Sequence, residues 1–118
     1  MDVLTIKLPY PPSINNYYRR TSNGVFINAI GKLFRMNTVV LCRDYKNYFD
    51  KSKRLDLTII VNQPDRRDRD LDNLAKSTLD ALQHAKVFVS DSQIDKLTII
   101  RDEIVKDGSI TVKIAQCK

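Results

Sequence analysis

The sequence contains a single histidine, His84, and only two cysteines, Cys42 and Cys117, among 118 residues. Zinc sites need several such ligands, so zinc chemistry and histidine-based nuclease chemistry are both disfavoured. The cysteines have neither metal-ligand spacing nor the density of a disulfide scaffold, and reduced thiols in a cytoplasm are therefore expected. No apolar run approaches the length needed to span a bilayer, and no signal peptide is recognised, so no membrane contact is expected.

Glutamate is nearly absent, since Glu103 is the only one and every other acidic residue is an aspartate. Glutamate has the higher helix propensity, so this bias indicates carboxylates placed in turns, helix caps and ligand positions. Basic residues outnumber acidic ones by 20 to 14, which gives a formal net charge of +6 and an isoelectric point of about 9.4. A positive charge of this size suits a polyanionic partner, and nucleic acid is the usual one.

The length predicts a single domain over residues 1–118, without an internal repeat, a low-complexity segment or an interdomain linker. Alternating apolar and polar residues predict four strands, over residues 4–8, 54–61, 97–100 and 110–114. A further short strand is predicted over residues 25–27, after the turn at Asn23-Gly24. Asp107-Gly108 is a turn signal and predicts that the last two strands form a hairpin.

Two amphipathic helices are predicted between these strands. The first covers about Asn28 to Phe49, and the second begins near Leu71 and continues to Ala85. Asp70 or Asp72 stands where the N-cap of the second helix is expected. The resulting β-α-β-α-β-β order predicts an α+β domain with one mixed sheet and two main helices packed on it.

The densest charge lies between Asp65 and Asn73, a run that is ordinarily a self-paired, solvated cluster at the start of a helix. Asp70 and Asp72 are two residues apart, so both carboxylates leave the core together. Helical spacing brings Asn73 and Lys76 to the same side. Mg²⁺ is usually held by one or two carboxylates plus substrate phosphate. The run is therefore also typical of a metal site that cleaves phosphodiesters, with Lys76 as the positive charge on the reacting phosphate.

The residues alone leave alternatives open for two members of this site. Lys76 also has the spacing of an ordinary ion-pair partner of Asp72 and Asp80. Asp91 lies in a short turn after the second helix. That turn can fold back toward the start of the helix, and bring Asp91 to the site, if the next strand pairs with the one ending near Val61. An aspartate before a serine is equally an ordinary turn residue.

Three blocks of this sequence resemble the RusA family of endodeoxyribonucleases, which resolve Holliday junctions and are often carried by phages and prophages. The blocks are Leu-Pro-Tyr-Pro-Pro-Ser-Ile-Asn at 8–15, Pro-Asp-Arg-Arg-Asp-Arg-Asp-Leu-Asp-Asn at 64–73 with Lys76 and 80–82 beyond it, and Asp-Ser-Gln-Ile at 91–94. They occur in the family's order over nearly the whole chain, and the central block is the most specific.

The resemblance implies a homodimer in a bacterial cytoplasm that makes paired symmetric nicks in four-way DNA junctions during recombination and repair. It also implies Mg²⁺ as the cofactor, with Mn²⁺ as a substitute. Asp70, Asp72 and Asp91 match the family's essential acidic residues, which hold the metal, and Lys76 matches its essential lysine. The chain departs from the family at Ser90, where relatives often have a second acidic residue. It also lacks, in residues 86–89, the glycine that many relatives have.

DNA contacts are predicted for polar and basic residues around these ligands: Asn15, Arg19, Arg20, Arg66, Arg67, Arg69 and Asn73. Tyr17 and Tyr18 are predicted either to stack on exposed bases or to pack in the core. Asp65, Asp68 and Asp80 are assigned to charge balance. Two other functions stay open, namely a basic protein that binds branched DNA without cutting it and a metal-dependent phosphohydrolase acting on small nucleotides.

Overall fold

The computed structural model describes residues 3–117. Its strands are β1 (Leu4–Pro9), β2 (Tyr18–Thr21), β3 (Gly24–Ile27), β4 (Leu55–Asn62), β5 (Ile94–Arg101) and β6 (Ser109–Gln116). Its helices are α1 (Ile14–Tyr17), α2 (Ala29–Leu41) and α3 (Ala75–His84), and short 3₁₀ helices occupy Arg43–Tyr45, Leu71–Leu74 and Asp91–Gln93. The short strand predicted at 25–27 is present as β3, whereas α1 and β2 were not predicted. The α+β class with one mixed sheet and two main helices is confirmed. None of the helices in this part of the chain is long and apolar enough to cross a bilayer.

The main sheet has the order β1-β6-β4-β5, and β2 pairs with β3 in a separate hairpin. β6 runs antiparallel to both β1 and β4, whereas β5 runs parallel to β4. The predicted hairpin between 97–100 and 110–114 is therefore wrong, because β4 lies between β5 and β6. The loop from β5 crosses the end of β4, where the backbone N–H of Asp102 donates to the carbonyl of Val61 at 2.9 Å. Asp107 and Gly108 both have positive φ, but they turn the chain into β6 from this crossing loop.

The predicted first helix is too long at its C-terminal end. α2 ends at Leu41, and Asn47 has a φ of 61°, which a continuing helix does not allow. Phe49, where the helix was predicted to end, is buried, but its backbone N–H donates to the carbonyl of Val87 at 3.1 Å. Its burial comes from packing beside the segment after α3, and apolar spacing alone does not separate that arrangement from a longer helix.

The core lies on one face of the sheet, because alternate residues of β1, β4 and β6 point toward the helices. Helices α2 and α3 and the segment after α3 close it with Phe34, Leu74, Ala81, Leu82, Val87 and Phe88. The outer side of α2 is apolar as well, and it carries four large side chains that are between 41% and 65% exposed: Met36, Val39, Val40 and Leu41.

A partly buried hydrogen-bonded triad joins the three helices. The hydroxyl of Tyr17 on α1 donates to the carboxylate of Asp80 on α3. The Nε of Arg35 on α2 donates to Tyr17 Oη at 3.0 Å and to Asp80 Oδ2 at 2.8 Å. Burial, and then the bond to Asp80, raise the pKa of Tyr17 well above its usual value. Charge balance by Asp80 is confirmed, and of the two alternatives for Tyr17 the structure supports packing.

Candidate active site

The candidate site lies where β4 leads into α3. Asp70 occupies the cap position of the 3₁₀ helix Leu71–Leu74, but its side chain makes no capping hydrogen bond. α3 begins only at Ala75, after Leu74. The prediction that an aspartate carboxylate caps the second helix is thus wrong, because a 3₁₀ turn separates Asp70 from the α-helix. The carboxylate is left free for another partner.

Self-pairing in the charged run is concentrated on Asp65. Arg69 Nη2 lies 3.0 and 2.9 Å from the two carboxylate oxygens of Asp65, and Arg67 Nε lies 3.9 Å away. The backbone N–H of Arg67 and then the guanidinium of Arg69 lower the pKa of Asp65. Within residues 3–117, neither Asp70 nor Asp72 has a basic nitrogen within 4.0 Å, and both are exposed. The charge-balance assignment is confirmed for Asp65, and two of the three predicted metal ligands, Asp70 and Asp72, have no basic partner in the described residues.

Lys76 lies one turn beyond Asp72, on the exposed side of α3. In the described part of the chain it forms no ion pair with Asp72 or Asp80, since Asp80 faces Arg35 at 2.8 Å. The alternative in which Lys76 is their ordinary partner therefore has no support in the geometry. Within residues 3–117 its ammonium group is exposed and has no acidic partner, so it is available to an anion.

Arg101 is a cation of this region that the sequence analysis did not select. It lies at the end of β5 and lines a shallow depression together with Asp68, Asp70 and Asp72. Its guanidinium donates to the backbone carbonyl of Arg69, which holds it in place. The carboxyl ends of parallel strands meet at one edge of a sheet. This rule could have identified Arg101 from the sequence only if the pairing of β5 with β4 had been known.

Asp91 lies at the other end of α3 from Asp70 and Asp72. Its backbone N–H donates to Gln83 Oε1 at 2.9 Å, in the last turn of that helix. At 1.5 Å per helical residue, the roughly 11 positions from Asp72 to Gln83 correspond to about 16 Å. In residues 3–117 no three acidic, histidine or cysteine side chains are placed to share a metal ion. Although β5 pairs with β4 as that expectation required, the turn at Asp91 does not fold back toward the start of α3. The role of Asp91 as a ligand stays a prediction.

A cleft of about 550 Å³ opens beside Asp70. One wall is the proline-rich segment 9–13, another is formed by α2, and the third is the segment from Asp68 to Leu74. Asp70 lines both this cleft and the shallow depression that contains Arg101. The first and second family-like blocks of the sequence therefore meet around a single cavity.

The residues predicted to bind DNA fall into two groups. Asn15, Arg19 and Arg20 lie on exposed positions of α1 and β2, and Arg66 and Arg67 are exposed in the loop before the site. The second group differs in exposure, since Arg69 and Asn73 are only partly exposed. The guanidinium carbon of Arg69 lies 5.6 Å from the ring centroid of Tyr10, and its charge is already paired with Asp65.

Comparisons with known sequences show the family to which the chain belongs. The family described as "Endodeoxyribonuclease RusA" matches residues 9–115. The chain is 40% identical to the crossover junction endodeoxyribonuclease RusA of Enterobacteria phage HK97 over 110 residues, covering 92% of this chain and 91% of that protein. It is 32% identical to the protein of that name in Shigella sonnei and 31% identical to that in Escherichia coli strain K12, in each case over 98% of this chain and 97% of the relative. The chain belongs to the RusA family of endodeoxyribonucleases.

Proposed function

We propose that this protein is a Mg²⁺-dependent endodeoxyribonuclease that resolves four-way DNA junctions by paired symmetric nicks. The observation that carries the proposal lies in the charged run: within residues 3–117, Asp65 is paired with Arg69, while Asp70 and Asp72 are exposed and have no basic partner. Exposed neighbouring carboxylates repel each other, and a divalent cation relieves that repulsion. The names of the similar proteins from phage and bacteria support four-way junctions as the substrate.

The oxygen-only ligand set of Asp70 and Asp72 suits Mg²⁺, which is commonly held by one or two carboxylates together with water and substrate phosphate. Mn²⁺ accepts the same ligands and is proposed as a substitute. When bound there, the cation supplies Lewis acidity and lowers the pKa of a coordinated water.

The remaining groups of the site are proposed to handle the phosphate. Lys76 would place its ammonium against the negative charge that develops on the phosphate or on the leaving oxygen. Arg101 lines the same depression as the two carboxylates and would hold an adjacent phosphate. Arg19 and Arg20, on the exposed hairpin, are proposed to grip the backbone farther from the cut.

The position of Asp91 supports the proposal of a homodimer. A carboxylate about 16 Å along a helix does not reach a cation held at 2.0–2.1 Å by Asp70 and Asp72. A second copy arranged around a two-fold axis would bring the partner's Asp91 to this site and complete two equivalent sites. The apolar outer side of α2 offers surface for such a contact, as Met36 and Val40 are 65% and 59% exposed. Two sites related by two-fold symmetry match the approximate symmetry of a four-way junction.

A cleavage assay tests the proposal. A synthetic four-way junction, labelled on each strand in turn, is incubated with the protein in Mg²⁺, in Mn²⁺ and in chelator, beside a linear duplex of the same sequence. We expect symmetric nicks in the junction only when metal is present. Asp70→Asn and Asp72→Asn should abolish cutting, because the ligand charge is lost, yet keep junction binding, because repulsion of the phosphates also falls.

The matched control is Asp107→Asn, which makes the same change of charge at an exposed turn where asparagine tolerates the positive φ of 68°. This variant should cut like the wild type. Near wild-type cutting by either Asp70→Asn or Asp72→Asn would refute the metal site. Junction binding without any cutting would instead favour a non-catalytic DNA-binding protein, and turnover of free nucleotides would favour a phosphohydrolase.

A further inference from the structure

The cleft between the proline-rich segment 9–13 and α2 is larger than the metal site needs. Its volume of about 550 Å³ lies in the range of small-molecule sites. Asp70 and Asn73 stand on one side of it, so the cleft is continuous with the proposed point of cutting. A group bound inside would therefore belong to a nucleotide next to the phosphate that is cleaved.

The lining of the cleft does not suit a phosphate. Among the described residues Arg69 is the only cation of the lining, and the carboxylate of Asp65 already holds that guanidinium at 2.9 Å. Asp68 and Asp70 add negative charge to the same lining. An anionic group would be repelled here, and phosphates are left to the cations outside the cleft.

The same lining suits a flat, neutral group with a polar edge. Tyr10, the prolines and three apolar side chains of α2 provide apolar surface: Ile30, Leu33 and Phe34. Asn16, Asn37 and Asn73 add three amide side chains, and none of them has a side-chain hydrogen-bond partner within residues 3–117. Asparagine amides pair with the edges of nucleobases, and apolar or aromatic side chains stack against base faces.

We propose that this cleft binds one unstacked nucleobase of the strand that is cut, with the base edge facing Asn16, Asn37 and Asn73. This inference rests on the proposed nuclease function. Bases next to the crossover of a junction are the least costly to unstack, because the helix is already interrupted there. A linear duplex offers no such base. Binding of a base in the cleft would therefore also let the protein discriminate four-way junctions from linear duplex DNA.

Fluorescence of 2-aminopurine tests the inference, because this base brightens when it leaves the stack. It is placed at successive positions around the crossover, and each junction is bound by the Asp70→Asn protein without metal, so that no cutting interferes. We expect a several-fold rise at one position near the proposed cut. In the same background Leu33→Trp, which fills the cleft, should abolish the rise. Asn37→Ala, in otherwise wild-type protein, should reduce the preference of cutting for one base over the others at that position by about tenfold, equivalent to ~1.4 kcal/mol.

Gln116→Ala is the control, since it removes an exposed amide at the end of β6, outside the cleft lining. It should leave both the fluorescence rise and the base preference unchanged. Tight junction binding with no rise at any position would overturn the nucleobase inference and leave the nuclease proposal standing. A rise that persists in Leu33→Trp would likewise overturn it. Absence of cutting by the wild-type protein in Mg²⁺ would refute the nuclease function itself.

Discussion

Combining two inactive variants in one dimer tests which copy of the chain supplies Asp91. The backbone N–H of Asp91 is bonded to Gln83, about 16 Å along α3 from Asp72, whereas ligand bonds to Mg²⁺ are 2.0–2.1 Å. A side chain does not close that gap. In a two-fold dimer each site would then take Asp70 and Asp72 from one chain and Asp91 from the other.

The consequence is an unusual pattern of rescue. A heterodimer of one Asp70→Asn chain and one Asp91→Asn chain has both changes in one site, and its second site is intact. We expect it to nick one strand at about half of the total wild-type rate, because one of two equivalent sites remains, and to make no paired nicks. The two chains are co-expressed with different tags and purified over both, and nicks are counted on a strand-labelled junction.

A heterodimer of Asp70→Asn with Asp72→Asn provides the matched control. Both changes then lie on the same side of the proposed composite site, so each site carries one defect and no rescue is expected. An Asp70→Asn and Asp91→Asn heterodimer that is as inactive as this control would refute the shared site. Failure of the two tagged chains to copurify would refute the homodimer.

Three further predictions concern residues outside the metal ligands. Arg66→Ala should lower the slope of log binding constant against log salt by ~1, since this exposed side chain has no acidic partner in the described chain, whereas Arg69→Ala should mainly lower the melting temperature. Salt titrations and thermal melts distinguish these outcomes, and an unchanged slope for Arg66→Ala would exclude it from DNA contact. Gly108→Ala should lower the free energy of unfolding by ~1–3 kcal/mol, because φ is +70° and the added Cβ would lie 2.9 Å from a neighbouring side-chain carbon. Urea unfolding measures this loss, and a stability equal to wild type would contradict the described turn. Burial raises the pKa of Cys42 to about 11, so at pH 8 a thiol reagent should label Cys117 well before Cys42, and equal labelling of the native protein would contradict that burial.

Local patterns in the sequence predicted the elements with simple periodicity. Strands β1 and β4 alternate strictly between buried and more exposed positions, β6 alternates from Ile110 to Ala115, and the prediction placed each of the three within a few residues. α3 was found from its apolar stripe, but the 3₁₀ turn before it was not, since 3₁₀ and α-helical spacing are similar over four residues.

Pairing between distant segments was not predictable in the same way. The insertion of β4 between β5 and β6 depends on how the whole sheet assembles, and the Asp107-Gly108 turn signal describes only the local chain. The same limit applied to Arg101, whose place beside Asp70 follows from the parallel pairing of β4 with β5. Asp70 and Asp72 were recognised because their spacing is local, whereas Asp91 was assigned only through the family resemblance.

The separation of Asp91 from Asp70 and Asp72 along α3 has a consequence for how such an enzyme responds to its own abundance. A nuclease that needs two chains to complete each site is inactive as a monomer. Well below the dissociation constant of the dimer, doubling the amount of protein would raise cutting about fourfold, because the dimer concentration depends on the square of the monomer concentration. A low amount of protein would then give little junction cutting, and the rate of cutting would rise more steeply than the amount of protein.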